Sequence, residues 1–134
     1  MSKNIVSALK FRKYIVKNVE FILNDTFSNR SNVAIEFGIR KRIEYKEKTM
    51  HVELETIVFP NAEKNDYPFT IRVKIVGIFE TVGEAKDRFE TNAVAILYPY
   101  IRAIVSTYTA QANIPALVLP PINVNSLMED SDKE

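Results

Sequence analysis

The feature that most constrains this chain is an apolar stretch over residues 93–124 whose two parts require different backbone conformations. The last part is as apolar as the first, but Pro115, Pro120 and Pro121 remove backbone donors and fix φ there. The first part carries apolar side chains at the i, i+3, i+4, i+7 spacing of one helix face, at Val94, Leu97, Tyr98, Ile101, Ile104, Val105 and Tyr108. We therefore predict a helix with a buried face that continues into an extended apolar crossover, which another surface must cover.

Upstream of this stretch the sequence predicts strands, because apolar and charged side chains alternate there. The predicted strands span residues 10–23, 33–45, 50–58 and 69–79. The first breaks phase at Ile15 and Val16, which indicates a bulge. The polar residues 61–68 are typical of a loop. Val76 and Ile78 make the end of the fourth strand apolar on both faces, so we expect both faces to be covered. Four antiparallel strands followed by a helix form an α+β fold.

The second and third strands are predicted to pair as a hairpin in which partner positions sum to 95. This register brings together three favourable cross-strand pairs, namely Arg40–Glu55, Arg42–Glu53 and Glu44–His51. A slip by two positions would instead oppose two glutamates. The turn is the weak point, because Glu47 and Lys48 stand where short hairpins prefer glycine or asparagine.

Residues 81–92 are typical of a turn and a short helical segment. Thr91 or Asn92 is predicted to cap the main helix that follows. Pro99 cannot donate to the carbonyl of Ala95, so we expect a kink or a new start near it. One helix of about twenty residues covers a four-stranded sheet only partly, and we therefore expect subunits to associate through helix or sheet faces.

The composition limits the classes of function. A length of 134 residues predicts a single domain over 1–134, of which 125–134 form a short or frayed end. The net charge of +1 supplies no field for nucleic acid, and the absence of cysteine fits a reducing cytoplasm. The start of the chain lacks the continuous apolar region of an export signal, so we expect none. The apolar run over 93–105 is short for a membrane span and contains Arg102, so we expect no membrane insertion.

The polar residues give little support to an enzyme. His51 is the chain's one histidine, and although a base or a pH switch stays open, a cross-strand partner for Glu44 is the simpler interpretation. Glu53 and Glu55 share a face at about 7 Å, a separation that some paired-carboxylate enzymes use, but the arginines predicted opposite them favour a solvated salt-bridge face. One histidine without cysteine offers little to a metal. We predict no catalytic residue, no cofactor and no metal.

An apolar, partly aromatic set of side chains remains for a binding surface. It comprises Tyr98, Tyr100, Tyr108, Ile114, Leu117, Val118, Leu119 and Ile122. The alternative is that these side chains pack against their own sheet or against a sister subunit, and the sequence pattern by itself leaves both interpretations open.

Three segments of the chain resemble the signature of the SecB family of export chaperones. AILYPYIR over residues 95–102 is similar to that family's helix motif, and NIPALVLPPINVNSL over residues 113–127 is similar to its crossover motif. Gly77, Ile78 and Phe79 match a G-I-F at the end of the fourth strand. The order of strands, helix and crossover agrees as well.

The resemblance implies an α+β subunit that assembles as a homotetramer, a dimer of dimers. It also implies an ATP-independent holdase that binds unfolded polypeptides or preproteins in apolar grooves during export and translocation. Extended clients fit such grooves through apolar burial and main-chain hydrogen bonds, neither of which reads a strict sequence. The implied client-binding residues are Phe37, Tyr98, Tyr100, Ile101, Ile104, Tyr108, Ile114, Leu117, Leu119 and Ile122.

The chain departs from the family in three ways. Members that pass clients to the SecA motor carry acidic residues on the exposed sheet face, where this chain has Asn18, Ile22 and Arg72. Its charge is near neutral, and little sequence is left for a C-terminal helix after the crossover. These departures weigh against SecA as a partner and leave client binding intact. A chaperone dedicated to one partner, such as an antitoxin, and a non-chaperone oligomeric scaffold are the alternatives.

Overall fold

Alternating apolar side chains build one four-stranded antiparallel sheet in the computed structural model, which describes residues 8–28, 33–83 and 86–132. The strands are β1 (Ala8–Leu23), β2 (Phe37–Lys46), β3 (Thr49–Val58) and β4 (Phe69–Val82), and the helices are α1 (Ala62–Asn65), α2 (Lys86–Gln111) and α3 (Val124–Asp132). The strand order in the sheet is β1-β4-β3-β2, so β1 and β2 are its edges. The predicted α+β fold is confirmed.

The β2–β3 hairpin has the predicted register. Phe37 pairs with Val58, and each further pair of positions down to Lys46 and Thr49 sums to 95. The turn is closed by Glu47, which adopts a left-handed φ of 53° in place of the expected glycine. Such a conformation costs a non-glycine residue about 1–2 kcal/mol, which the paired strands on either side offset.

Two irregularities bend the long edge strand β1 against β4. Its register shifts between Val16 and Asn18, next to the predicted bulge, and shifts a second time between Phe11 and Lys13. Each shift adds a residue that has no partner on β4, which strengthens the local twist. With two bulges, β1 curves around the edge of the α2 layer.

The core lies between the inner face of the sheet and α2. On β3 and β4 every second side chain is buried, as the sequence predicts for strands with one covered face. Gly77 of β4 lies under Leu97 of α2, and a Cβ added there would stand 2.6 Å from the Leu97 side chain. Glycine at this position therefore lets the helix approach the sheet closely.

The helix boundaries differ from those predicted. The main helix α2 begins at Lys86, so Thr91 and Asn92 lie inside it and do not cap it. Phe89 is 4% exposed and anchors this additional first turn to the core. The helix also continues through Pro99 without restarting. Both Pro99 and Ala95 face outward, where water can bond the carbonyl that the proline leaves without a donor.

Three further boundaries are corrected. Strand β2 begins at Phe37 and not at residue 33, because the carbonyl of Glu36 already accepts from the Phe59 amide at 2.8 Å, outside the ladder. The predicted loop over 61–68 contains the one-turn helix α1. The expected short or frayed end forms α3, whose Val124 and Leu127 pack against the core.

Candidate functional site

A row of polar side chains on α2 fixes the crossover, the extended segment over residues 112–123 that connects α2 to α3. The Tyr98 hydroxyl donates to the Pro120 carbonyl at 2.6 Å. One turn further along α2, Arg102 donates through Nε to the Leu119 carbonyl at 2.9 Å. The end of the crossover is therefore held by side chains of α2 and not by a strand.

The same row continues toward the C-terminus of α2. Ser106 donates through Oγ to the Leu117 carbonyl at 2.7 Å. The Leu117 amide in turn donates to the Thr109 hydroxyl at 2.9 Å, and this hydroxyl donates to the Val105 carbonyl at 2.8 Å. Leu117 thus has both its backbone groups bonded to α2 side chains, which satisfies them away from any sheet.

The sequence carries a signal for this row that its apolar pattern obscures. Tyr98, Arg102, Ser106 and Thr109 follow one another by four, four and three positions, which places them on one side of a helix. Polar side chains at helical spacing inside an apolar stretch indicate that the helix must satisfy a neighbouring backbone. We refer to these four residues as the polar row.

The polar row decides which crossover side chains can meet another molecule. Leu119 is fully buried, and Ile114, Leu117 and Ile122 are half-buried against the core. Val118, between the two anchored carbonyls, is 63% exposed. Fixing the backbone therefore points alternate side chains inward and outward, as in a strand.

The other side of α2 meets β1 in an aromatic seam. The rings of Tyr14 and Tyr100 lie 4.4 Å apart, and those of Phe21 and Tyr108 lie 5.8 Å apart. Between these pairs lies an open concavity of about 320 Å³. It is lined by Tyr14, Tyr100, Ala103, Ile104, Thr107, Tyr108 and Gln111.

The structure therefore divides the ten predicted client-binding residues into three groups of three and one separate residue. Tyr98, Ile101 and Leu119 are 4%, 0% and 0% exposed, so they belong to the protomer core. Two groups lie at the surface: the seam group Tyr100, Ile104 and Tyr108, and the crossover group Ile114, Leu117 and Ile122. Phe37 stands apart, half-buried at the start of edge strand β2.

Burial sets the ionisation of the tyrosine in the polar row. It raises the pKa of the Tyr98 hydroxyl, and the nearby positive charge of Arg102 offsets this rise in part. The hydroxyl therefore stays protonated at neutral pH, as a donor to a carbonyl must. Away from this site, the hydrogen bond from Tyr67 to the Glu36 carboxylate raises the pKa of Tyr67.

The charged residues considered for catalysis lie on the outer face of the sheet, which we define as the face opposite α2. Glu55 stands opposite Arg40 and lies 3.8 Å from Arg72, as expected for a salt-bridge face. His51 stands opposite Glu44. In the described ranges, His, Asp and Glu side chains form no cluster able to hold a metal ion. The helices among those ranges include none long and apolar enough to cross a membrane.

Comparison with known sequences identifies a family. Residues 7–134 match the family described as preprotein translocase subunit SecB. An uncharacterized protein of Methanocaldococcus jannaschii is 40% identical over 94% of this chain and 86% of its own length. The protein-export protein SecB of Dichelobacter nodosus is 26% identical over 78% of this chain and 71% of its own length.

Comparison with solved structures shows the same fold. The SecB-like chaperone of Mycobacterium tuberculosis, in complex with a ChAD peptide from the HigA1 antitoxin, superposes with a TM-score of 0.67 over 85% of this chain and 90% of that chain, at 12% identity. A protein of unknown function from Streptococcus agalactiae superposes with a TM-score of 0.55 over 87% of this chain and all of that chain, also at 12% identity.

Proposed function

The chain belongs to the SecB family, and on that premise we propose that it is an ATP-independent holdase. It binds unfolded polypeptides or preproteins on the apolar surface beside α2. The family supports a chaperone role, and SecB chaperones are not enzymes. The holding mechanism is inferred from the surface of this chain.

The observation that carries the proposal is an uncharged surface. Residues 103–124, from the second half of α2 to the end of the crossover, contain no lysine, arginine, aspartate or glutamate. Many of their side chains are open to solvent, including Tyr108 at 39% and Val118 at 63%. Charged residues make up 26% of the whole chain, so an uncharged stretch of this length at a surface favours contact with apolar partners.

The chemistry of this surface suits clients of unrelated sequence. Burying apolar area contributes about 25 cal/mol per Å² whatever the order of the client's side chains. The seam concavity accepts a large side chain against Tyr100 and Ile104, and the crossover offers a shallower surface around Val118. Binding therefore requires apolar residues in an extended client and no particular motif.

We propose further that the chain assembles as a homotetramer, a dimer of dimers, in the cytoplasm. The side of α2 that faces away from the core carries small, uncharged and exposed residues, namely Ala95, Pro99, Ala103, Thr107 and Ala110. Small side chains at helical spacing let two helices approach closely. Ala103 and Thr107 also line the seam concavity, so packing of this side against another copy would place the edge of the interface at the seam.

The partner that receives the client is a separate matter. Asn18, Ile22 and Arg72 lie on the outer face, where they supply no carboxylate for SecA. We therefore expect SecA to bind weakly or not at all. The M. tuberculosis chaperone binds a peptide of an antitoxin, and a chaperone dedicated to one client of that kind is the alternative form of the present proposal.

The test follows the aggregation of a chemically unfolded client by light scattering, without nucleotide, at near-stoichiometric chaperone. Oligomer mass is read on the same sample. We expect a tetramer that suppresses scattering. A well-formed oligomer that leaves scattering unchanged would contradict the holdase and favour a scaffold whose crossover is buried between subunits. The burial of Leu119 is compatible with such a scaffold as well. A hydrophobic dye that stays dark on that oligomer would support the scaffold.

A further inference from the structure

The outer face of the sheet differs in charge from the rest of the chain. Strand register, the Arg12–Glu80 ion pair and the position of Lys17 at the outer-face concavity place nine basic and five acidic side chains there, a net charge of +4, whereas the whole chain carries +1. The basic residues are Lys10, Arg12, Lys13, Lys17, Arg40, Arg42, Lys46, Arg72 and Lys74, and the acidic residues are Glu20, Glu44, Glu53, Glu55 and Glu80. The remainder of the molecule is therefore acidic, and the positive charge is concentrated on the face opposite α2.

Four of the five acidic side chains of this face are engaged in local ion pairs, whereas Glu53 makes none with a described residue. Glu80 pairs with Arg12, and Arg72 lies within 4 Å of both Glu20 and Glu55. Glu44 lies 3.5 Å from Lys46.

Four lysines of the face, in contrast, make no ion pair with any described residue, namely Lys10, Lys13, Lys17 and Lys74. Their charges are free to meet an incoming anionic group, and Lys13, Lys17 and Lys74 surround one place on the sheet.

That place is an apolar floor. Ile15 pairs with Val76 across the β1–β4 ladder, and Lys13 pairs with Ile78 beside them. Ile15 is 37% exposed, and Val76 and Ile78 are half-buried, so the double-sided apolar end of β4 is uncovered on its outer side within the described residues. The floor lies in a concavity of about 370 Å³ whose rim includes Lys17, Arg42 and Lys46.

We propose that the outer face docks a partner protein through an acidic segment that carries apolar side chains. Apolar side chains of the segment cover Ile15, Val76 and Ile78, and its carboxylates meet the unpaired lysines. Complementary charge around an apolar centre is the usual layout of a protein interface. This site lies on the opposite side of the sheet from the client surface, so a partner can dock while a client is held.

Other occupants fit these observations less well. Two copies of the chain joined through this face would bring two patches of net +4 together, which repel. A nucleic acid backbone would meet an apolar floor of Ile15, Val76 and Ile78 at the centre of the site, which offers nothing to phosphates but suits the apolar side chains of a peptide.

The binding test uses the full chain and a fluorescent peptide of about twelve residues that alternates glutamate and leucine, long enough to cross four strands about 4.8 Å apart. Fluorescence anisotropy should show saturable binding that weakens in high salt. Peptides with lysine in place of glutamate, or serine in place of leucine, should each bind about tenfold more weakly. Equal binding of the lysine peptide would overturn the proposal.

The variant test exchanges charges on and off the face. Lys17→Glu with Lys74→Glu should weaken binding of the peptide by about tenfold or more, and the milder pair Lys17→Gln with Lys74→Gln should weaken it by a smaller factor. The matched control, Lys64→Glu with Arg88→Glu, makes the same change of net charge on α1 and α2 and should bind as the parent chain does. Equal binding by both glutamate pairs would contradict the site.

Three further readouts separate a docking site from the holdase activity, from a subunit interface and from a nucleic-acid site. Suppression of client aggregation should be unchanged in Lys17→Glu with Lys74→Glu, so that failure of the docking site and failure of the holdase are told apart. A changed native mass in that variant would overturn the proposal in favour of a subunit interface. Tighter binding of a short single-stranded oligonucleotide, lost in the same variant, would overturn it in favour of nucleic acid.

Discussion

The crossover and the seam flank the same helix but are joined to it by different forces. The polar row holds the crossover by directional hydrogen bonds to its backbone, such as that from Arg102 to the Leu119 carbonyl. The seam is held by ring contacts between β1 and α2, such as that of Tyr14 with Tyr100. Hydrogen bonds fix a backbone by distance and angle, whereas aromatic pairs accept a range of centroid distances and tilts. We infer that the crossover gives the client surface its shape and the seam gives it adaptability.

The largest effect is expected where the crossover enters the core. Leu119→Ala should lower the free energy of unfolding by about 2–5 kcal/mol, because Leu119 is fully buried and its loss leaves a cavity. Urea unfolding measures this. Val118→Ala is the control, since a side chain that is 63% exposed should change stability by less than about 0.5 kcal/mol. Similar losses for both variants would mean that the crossover has no inward and outward sides.

A smaller loss is expected from breaking the polar row. Thr109→Val removes the acceptor of the Leu117 amide and should lower the free energy of unfolding by about 1–3 kcal/mol. Hydrogen exchange at the Leu117 amide should accelerate more than exchange at amides of β3. Thr107→Val, on the exposed side of α2, is the matched control. Unchanged exchange at Leu117 would show that the row does not hold the crossover.

The affinity for a client should distinguish the contributions of the crossover and the seam, when it is measured on variants that stay folded. Val118→Asp places a charge on the exposed apolar surface of the crossover, and Tyr108→Ser removes an exposed aromatic ring from the seam. Each should weaken the binding of an unfolded client by about tenfold. Competition with a labelled client measures the affinity, and urea unfolding checks that stability is retained. If only the Tyr108 variant loses affinity, the client surface is the seam alone.

The smallest effect is a change of stability at alkaline pH. Burial raises the pKa of Tyr98 above the 10.0 of a free tyrosine, so the unfolded chain loses this proton first as the pH rises. The contribution of Tyr98 to the free energy of unfolding is therefore complete below pH 10, and it is lost as the pH rises through the pKa of Tyr98 in the folded chain. Unfolding midpoints between about pH 8 and 11 should fall less steeply for Tyr98→Phe than for the parent chain.

A second tyrosine requires its own control in that experiment. The pKa of Tyr67 is also raised, through its hydrogen bond to Glu36, so Tyr67→Phe should remove a separate part of the same slope. A slope that Tyr98→Phe leaves unchanged would mean that Tyr98 is not the group that links the crossover to pH.

Local patterns in the sequence were enough for the four strands and for the β2–β3 hairpin, whereas the strand order β1-β4-β3-β2 came only from the structure. Alternation of side chains gave the four strands, and the charges of Arg40, Arg42 and Glu44 selected the β2–β3 register, because a wrong pairing would oppose like charges. The apolar face of the helix likewise follows from short-range spacing, whereas the contact of Gly77 with Leu97 appears only in the tertiary structure. The family resemblance rested on the same contiguous motifs, and it was confirmed.

Local patterns could not place the ends of elements. Thr91 looks like a cap from its neighbours, but Phe89 finds a buried site on the sheet and extends α2 by a turn. Pro99 looks like a break, but it falls on the outward side of the helix, where water can satisfy the carbonyl. In each case contacts distant in sequence outweighed a local preference.

The client surface shows the same division. The sequence determined that an apolar helix is followed by an apolar crossover, since composition and proline positions are local properties. Tertiary structure alone decided that Leu119 and Tyr98 are buried while Val118 is exposed. The physical reason is that the side chains of an extended segment have no fixed orientation until its backbone is hydrogen-bonded. Here such bonds come from side chains of α2 distant in sequence: Ser106 bonds Leu117, 11 residues later, and Tyr98 bonds Pro120, 22 residues later.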